Sequence, residues 1–418
     1  FLMLAKNALQ DQKEEALRCE DSRDLDIRQG NEFFLPGKAA LAFYRCTTTR
    51  RDDQNRVWNN VIDGRARTKQ GIYIEGGSSL WVGENMIRNL IETGVVIANA
   101  QRIEVARNTI ADVQQNGVIV SSAQDVDIRE NTLTNISQDA VAVTSSQDVQ
   151  VRKNTVNGVG RTGVRAVSSN KVTLQENTIQ YSATQSGIRP SASSLPINGM
   201  YLVNLSDSRI VTNTVRNMVG RGIMARGGQN MVIGGNTIQG NNGGILLWES
   251  PTQVRGNTVK DNRGYGIFLY KSKKAMVVGN TVGPTILGVA QDPAVRRGVN
   301  TTGGHGILQF WGEENRIEGN EVTYSAGTGI YLECYGQTMD KVGCGQTAIV
   351  KNEVAANTGH GILISYGDYV NVKGNLIANN SGDGIYLSHA ITATVARADD
   401  ETPNRIREVR NGIAVIGG

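Results

Sequence analysis

All three histidines of this 418-residue chain, His305, His360 and His389, fall in its last third, in company with Tyr331, Glu333 and Asp383. An imidazole beside a carboxylate is suited to moving protons, because the carboxylate fixes one tautomer and raises the basicity of the ring. His360 and Asp383 occupy the same place in a repeated phrase and are expected on neighbouring coils, about 5 Å apart. Abstraction of a proton next to a uronate carboxylate needs a base, an acid for the other face or the leaving oxygen, and a cation for the carboxylate. His360 or His305 supplies the base in this reading, Tyr331 the acid, and Arg221 or Arg226 the cation. Glu333 and Asp383 offer the alternative of a carboxylate pair, as used in glycoside hydrolysis. A histidine on a turn with no chemical role is the ordinary case, and it stays open beside these two.

The same region carries rings. Successive residues of a strand face opposite sides, so in the recurring phrase Gly-Ile-x-Leu-x the Ile and Leu point inward and the x positions stack outward in columns. In the early coils the outward pair is small or aliphatic: Val96 and Ala98, Ile119 and Ser121, Ala142 and Thr144. Later it becomes Leu246 and Trp248, Phe268 and Tyr270, Leu308 and Phe310, Tyr331 and Glu333, Tyr386 and Ser388. Rings exposed in a row on a rigid sheet suit stacking against sugars. Trp248, Tyr270, Phe310, Trp311, Tyr386 and His389 are therefore the expected substrate-binding residues, with Arg221 and Arg226. Burial of the rings beneath long loops is the alternative.

What must position these side chains is a repeat. Asn85-Met-Ile, Asn108-Thr-Ile, Asn131-Thr-Leu, Asn154-Thr-Val and Asn177-Thr-Ile return every 23 residues, and each interval holds two further β-branched phrases. Three short strands separated by polar turns exclude helices, and a fixed period in the twenties marks a solenoid. One coil cannot bury its apolar side chains alone, but coils piled at about 4.8 Å pair every strand with its neighbours. At the bend, Asn tolerates left-handed backbone, and its amide can bond the Asn of the next coil to form a ladder. The phrase recurs at Asn213, Asn236, Asn257, Asn280, Asn320, Asn352 and Asn375, and the longer intervals hold loops at 181–197, 283–303, 334–344 and 392–403. The expected fold is all-β, one parallel solenoid domain over 1–418 of about sixteen coils. It is regular over 1–177 and carries insertions beside the Gly-Ile strand over 178–418, which marks that strand as a binding face. Caps for the two ends are not in the visible chain.

Composition narrows the function classes. A formal net charge of +4 is too mild for a dedicated nucleic-acid binder, and no apolar run is long enough to span a bilayer. The sequence has no Cys/His zinc spacing, no phosphate-cradling Gly loop between strand and helix, and no Ser nucleophile motif. No cofactor is expected, with calcium left open. Leu17-Arg-Cys19-Glu and Tyr44-Arg-Cys46-Thr align on Arg-Cys, which would stack Cys19 on Cys46, and Cys334 and Cys344 flank a short insertion. Two disulfides are expected, in a secreted, periplasmic or cell-surface protein.

The Gly-Ile-x-Leu and Asn-Thr-Ile/Val phrases resemble the right-handed parallel β-helix repeat of the pectate-lyase-like superfamily, over essentially the whole chain. The resemblance implies the fold and its hand. For activity it implies a range that includes polysaccharide lyases, inverting glycoside hydrolases, alginate C5-epimerases, phage tailspikes and adhesins. Gly304-His305-Gly306 and Gly359-His360-Gly361 look like the Gly-His-Gly signature of polygalacturonases. The Asn-Thr-Asp and Asp-Asp motifs that carry that family's carboxylates are absent, and Gln291-Asp292-Pro293-Ala294 only approximates the Asp-Pro-His motif of the epimerases. The expected function is a lyase or epimerase acting on an acidic, uronate-containing polysaccharide. The alternatives are an inverting hydrolase and a non-catalytic adhesive or filament-forming solenoid that associates end to end or side by side.

Overall fold

The strands are short because the chain must bend after each, and at one corner of the coil the bend is a left-handed residue followed by a buried amide. The computed structural model describes residues 2–10, 13–34, 37–47, 55–181, 197–287, 304–334, 344–390, 392–396 and 402–417. Most of the four loops marked by the longer repeat intervals lies outside the described residues. Among those described there is no helix, only strands of two to six residues, and nothing long and apolar enough to cross a membrane as a helix.

Contacts divide the chain into two compact units, 1–201 with 205–209, and 202–204 with 210–418. Both are all-β parallel solenoids. Among the described residues each unit holds three sheets of eight strands, counting Asn198–Val203 with the first and Arg209–Val211 with the second. In the first unit, Gln101–Ala106 pairs in parallel with Gln124–Arg129, placing Ile103 beside Val126 and Val105 beside Ile128. In the second, the Gly-Ile sheet aligns Ile245, Ile267, Ile307, Ile330, Ile362 and Ile385 in one column. Each of these Ile side chains is wholly buried, so the apolar column is the core that a single coil could not close.

The amides behave as a ladder in each unit. Asn7, Asn31, Asn60, Asn85, Asn108, Asn131, Asn154 and Asn177 are linked side chain to side chain at 2.9 to 3.1 Å. Asn213, Asn236, Asn257, Asn280, Asn320, Asn352, Asn375 and Asn404 repeat the arrangement. At Asn131 the carbonyl oxygen accepts the backbone N–H and the side-chain N–H of Asn108, while its own NH2 donates to the Val105 carbonyl and to Asn154. A buried amide with every group paired costs little, and it ties three successive coils.

The left-handed residue is the one before the Asn, which corrects the sequence reading. Arg107, Glu130, Lys153 and Glu176 have φ between 54 and 57°, because the Asn that follows is committed to the ladder. In the second unit that place is often Gly, at Gly235, Gly256, Gly279, Gly319 and Gly374, with φ of 60 to 68°. The Gly of the Gly-Ile phrase has another cause: a Cβ at Gly244 would lie 1.9 Å from the Gly266 carbonyl oxygen.

Cys19 bonds Cys46 and Cys334 bonds Cys344, and no cysteine is left free. The reason given by the sequence for the first pair does not hold. Cys19 lies in register with Phe43, and Arg18 with Ala42, so the two Arg-Cys phrases are offset and the bond runs from a strand to the turn after the next strand.

Asn131→Ala removes an acceptor shared by two buried donors and should cost about 2 to 4 kcal/mol in urea unfolding, whereas exposed Thr155→Ala should cost under about 0.5 kcal/mol. Thiol titration of unreduced, unfolded protein should find no free cysteine.

Candidate functional site

The outward columns of the Gly-Ile sheet in the second unit have the expected register. Arg226, Trp248, Tyr270, Phe310 and Glu333 follow one another on successive strands, and Met224, Leu246, Phe268, Leu308 and Tyr331 form the parallel column. Their exposure differs from expectation. Tyr270 and Phe310 are buried, with 8% and 6% of their surface accessible, and Leu246, Phe268 and Leu308 are fully buried. The rings cover one another: Trp248 meets Tyr270 edge-on at 5.4 Å, Tyr270 stacks with Phe310 at 6.5 Å, and Trp311 sits 4.6 Å from Phe310 and 5.7 Å from Tyr270. Coils lie closer together than an aromatic ring is wide, so large side chains in adjacent coils bury each other. Trp248 and Trp311 remain half-exposed. Cations lie over this cluster, the Arg226 guanidinium 4.6 Å from the Trp248 ring and the Lys271 ammonium 5.3 Å from Trp311 and 5.6 Å from Tyr270. Most of the loops at 283–303 and 334–344, expected beside this strand, lies outside the described residues.

The histidines do not stand as the sequence suggested. His360 and Asp383 are neighbours, Nδ1 to Oδ2 3.3 Å, but Nδ1 accepts the backbone N–H of Asp383 at 3.1 Å. The buried Asp383 carboxylate is taken by Arg410, at 2.7 and 3.0 Å, and by Asn411 at 2.6 Å. These bonds to Arg410, with further help from Asn411, hold Asp383 down to about 2. Burial, aided by Arg410 and opposed by Asp383, lowers the His360 pKa. The carboxylate favours the protonated ring, but burial and the Arg410 charge outweigh it, so His360 is a weaker base than a free imidazole. His305 repeats the arrangement, its Nδ1 accepting the Thr328 backbone N–H at 3.2 Å. In both places the imidazole caps a backbone donor of the following coil. Asp383, paired and depressed, is also unsuited to the general acid of a hydrolytic pair with Glu333. His389 belongs elsewhere: its exposed ring stacks on Tyr366 at 4.8 Å and contacts the Ser388 hydroxyl.

Arg221 is corrected too. It is buried and donates to the Tyr265 hydroxyl at 3.1 Å, whereas the sequence reading has it exposed to a polymer. Arg226 is exposed.

Three of the expected catalytic residues do come together. Tyr331 donates its hydroxyl proton to Glu333 two residues on, and the His305 ring lies 5.1 Å from the Tyr331 ring. Alternation sends Tyr331 and Glu333 to the same face, and the Cys334–Cys344 bond ties down the residue that follows. Burial and the adjacent Glu333 raise the Tyr331 pKa far above that of a free phenol, so the hydroxyl keeps its proton. Tyr386 is half-exposed and stacks on His360 at 4.5 Å. Among the described residues no group of three His, Cys, Asp or Glu side chains is placed to hold a metal ion.

Sequence reasoning missed a second tyrosine-carboxylate couple. In Gly71-Ile72-Tyr73-Ile74-Glu75 the Tyr73 hydroxyl donates to Glu75 at 2.8 Å, on a strand of the same type as Gly329-Ile330-Tyr331-Leu332-Glu333. The matching spelling was the available signal.

Residues 30–179 and 293–399 match the family model described as right handed beta helix region, and residues 191–292 match one described as periplasmic copper-binding protein (NosD). No curated protein matches the sequence. Similar solved structures include a lacto-N-biosidase from Eubacterium ramulus, 13% identical over 60% of this chain and 57% of that one, TM-score 0.42. A periplasmic alginate epimerase is 12% identical over 90% and 78%, TM-score 0.42. An alginate lyase from a Paenibacillus species is 11% identical over 63% and 94%, TM-score 0.38. The chain thus spans little more than half the length of the lacto-N-biosidase.

A lowered His360 pKa means the fold prefers the neutral ring. Its contribution to stability is complete above the unfolded value near 6.5 and is lost as pH falls through the lower folded value. Asp383 contributes above about 3.8 and loses its contribution as pH falls through about 2. Urea unfolding of the wild type should weaken from about pH 6.5 downward, and His360→Gln, which keeps an acceptor for the Asp383 N–H, should flatten that part of the profile.

Proposed function

The chain belongs to the right-handed β-helix family, and we propose that it is a polysaccharide-active member of it, acting on an acidic glycan laid across the strands of the Gly-Ile sheet in the second unit. The observation that carries this reading is the outward column running from Arg226 through Trp248, Tyr270 and Phe310 to Glu333. It offers cations over rings at one end and a proton-sharing couple at the other. Half-exposed Trp248 and Trp311 give sugar-stacking faces, and Arg226 and Lys271 face carboxylates of the polymer. The Trp248 indole N–H is buried without a partner among the described residues, a donor whose cost is offset when a small shift lets it meet a sugar oxygen.

The reaction type that fits is β-elimination or C5 epimerisation centred on Tyr331 and Glu333. Glu333 removes the proton beside the uronate carboxylate. In elimination, the Tyr331 hydroxyl passes its proton to the departing glycosidic oxygen, and protonated Glu333 returns a proton to the phenolate across the hydrogen bond they already share. His305 and His360 serve as turn acceptors in this scheme. Two disulfides suit an oxidising compartment, so the protein is secreted or periplasmic.

A second reading is binding without turnover, favoured by the engagement of both histidine Nδ1 atoms with backbone and by the burial of Tyr270 and Phe310.

Purified protein incubated with polymannuronate, polyguluronate and polygalacturonate should generate the ultraviolet absorbance of unsaturated ends, or an altered epimer ratio by NMR. Glu333→Gln should lower turnover about a hundredfold or more, while Trp248→Ala should raise KM about tenfold with kcat retained. Binding without either product would establish the non-catalytic reading, and absence of binding to all three polymers would overturn the acidic-glycan assignment.

A further inference from the structure

A groove of about 300 Å³ lies on the Gly-Ile sheet of the first unit, lined by Glu15, Lys38, Tyr44, Lys69, Tyr73 and Glu75 among others. Its floor comes from the strands Glu15–Glu20, Ala39–Tyr44 and Gln70–Glu75, with Ala39 between Glu15 and Gln70, Ala42 beside Tyr73, and Tyr44 beside Glu75. We propose that this groove is a separate carbohydrate-binding site that takes a neutral hexopyranose unit. The inference does not depend on the reaction assigned to Tyr331 and Glu333.

Three features argue for this ligand. Tyr44 and Tyr73 present two half-exposed rings, centroids 5.7 Å apart and tilted by 53°, an angled apolar surface against which the C–H face of a sugar packs. Ala42, in register with Tyr73 and two residues before Tyr44, is small and fully buried beside the two rings. Each phenol is oriented by a carboxylate, Tyr73 by Glu75 at 2.8 Å and Tyr44 by Glu15 at 3.4 Å. Burial and the Glu75 bond push Tyr73 up to about 12, so the phenol stays protonated and leaves Glu75 lone pairs free to accept sugar hydroxyls.

Charge selects against a uronate here. Lys38 is paired with Glu14 at 3.0 Å and Lys69 with Glu92 at 3.5 Å. Arg18 covers the Tyr44 ring at 4.3 Å, and its guanidinium is bound to Glu20 at 3.1 Å, with Glu15 more distant at 3.9 Å. The cations at the rim are thus already committed, while Glu15 and Glu75 face the groove. An acidic sugar would meet like charge, and a neutral one meets acceptors and rings. A volume near 300 Å³ is at the lower end of ligand pockets, which suits one or two sugar units of a longer chain.

The test is titration calorimetry of the full chain with neutral gluco-, manno- and galacto-oligosaccharides, with a polyuronate oligomer and with a glucosamine oligomer. At least one neutral series should bind, and Tyr73→Ala should weaken it about tenfold or more. Tyr73→Phe, which keeps the ring, should lose less, and Glu75→Gln should weaken binding without changing the melting temperature by more than a few degrees. Tyr324→Ala, an exposed tyrosine of the second unit, is the control and should leave affinity unchanged. Failure of every neutral series to bind, equal affinity in Tyr73→Ala, or preference for the glucosamine or uronate oligomer would each overturn the proposal.

Discussion

The structure depends on satisfying backbone groups at the bends between stacked strands. Every coil turns three times, and a turn inside a stack cannot send its N–H and C=O groups to water. In each unit one corner is held by asparagine, whose amide supplies two donors and an acceptor able to take two hydrogen bonds, matching the groups of the coils on either side. The neighbouring residue then absorbs the left-handed backbone. Where that neighbour is Glu, Arg or Lys, the strain is offset by the ladder, and where it is Gly there is little strain to offset. Other corners of the second unit use the same device, with Asn241 bonded to Asn262 and Asn357 to Asn380.

Seen from that constraint, the histidines make sense. The position before the Gly-Ile strand presents a backbone N–H that needs an acceptor. Asn116 supplies it to Asp139 in the first unit, and His305 and His360 supply it to Thr328 and Asp383 in the second. Asp383 in turn needs a cation once buried, and Arg410 provides it. A residue type associated with catalysis can be recruited to a structural corner when its ring nitrogen lies where an amide oxygen would otherwise lie.

The outer face of the Gly-Ile sheet is under a weaker constraint, and function can be written there. Its columns repeat at a spacing set by the strands, so side chains in adjacent coils are forced into contact whatever their role. Small residues give a smooth wall, large rings bury one another, and tyrosine beside glutamate makes a hydrogen-bonded couple. That couple appears in both units, at Tyr73 with Glu75 and at Tyr331 with Glu333, with different surroundings: paired lysines and a second tyrosine in one, a histidine, a disulfide and a cation-covered ring cluster in the other.

The sequence by itself determined the fold class, the strand register and the membership of each column, because all three follow from a 23-residue period and from side-chain alternation, which are local and additive. It also determined the cysteine partners, although the stacking argument behind Cys19 and Cys46 was misplaced by the offset of the two phrases. Exposure and protonation were decided only by tertiary structure. Whether Tyr270 faces solvent depends on Trp248, Phe310 and Trp311 at once, and the basicity of His360 depends on its burial and on Arg410, which bonds Asp383 from 27 residues away in sequence. A pattern read one coil at a time shows which side chains meet, but burial and charge are sums over every neighbour, and those neighbours are assembled only when the coils stack.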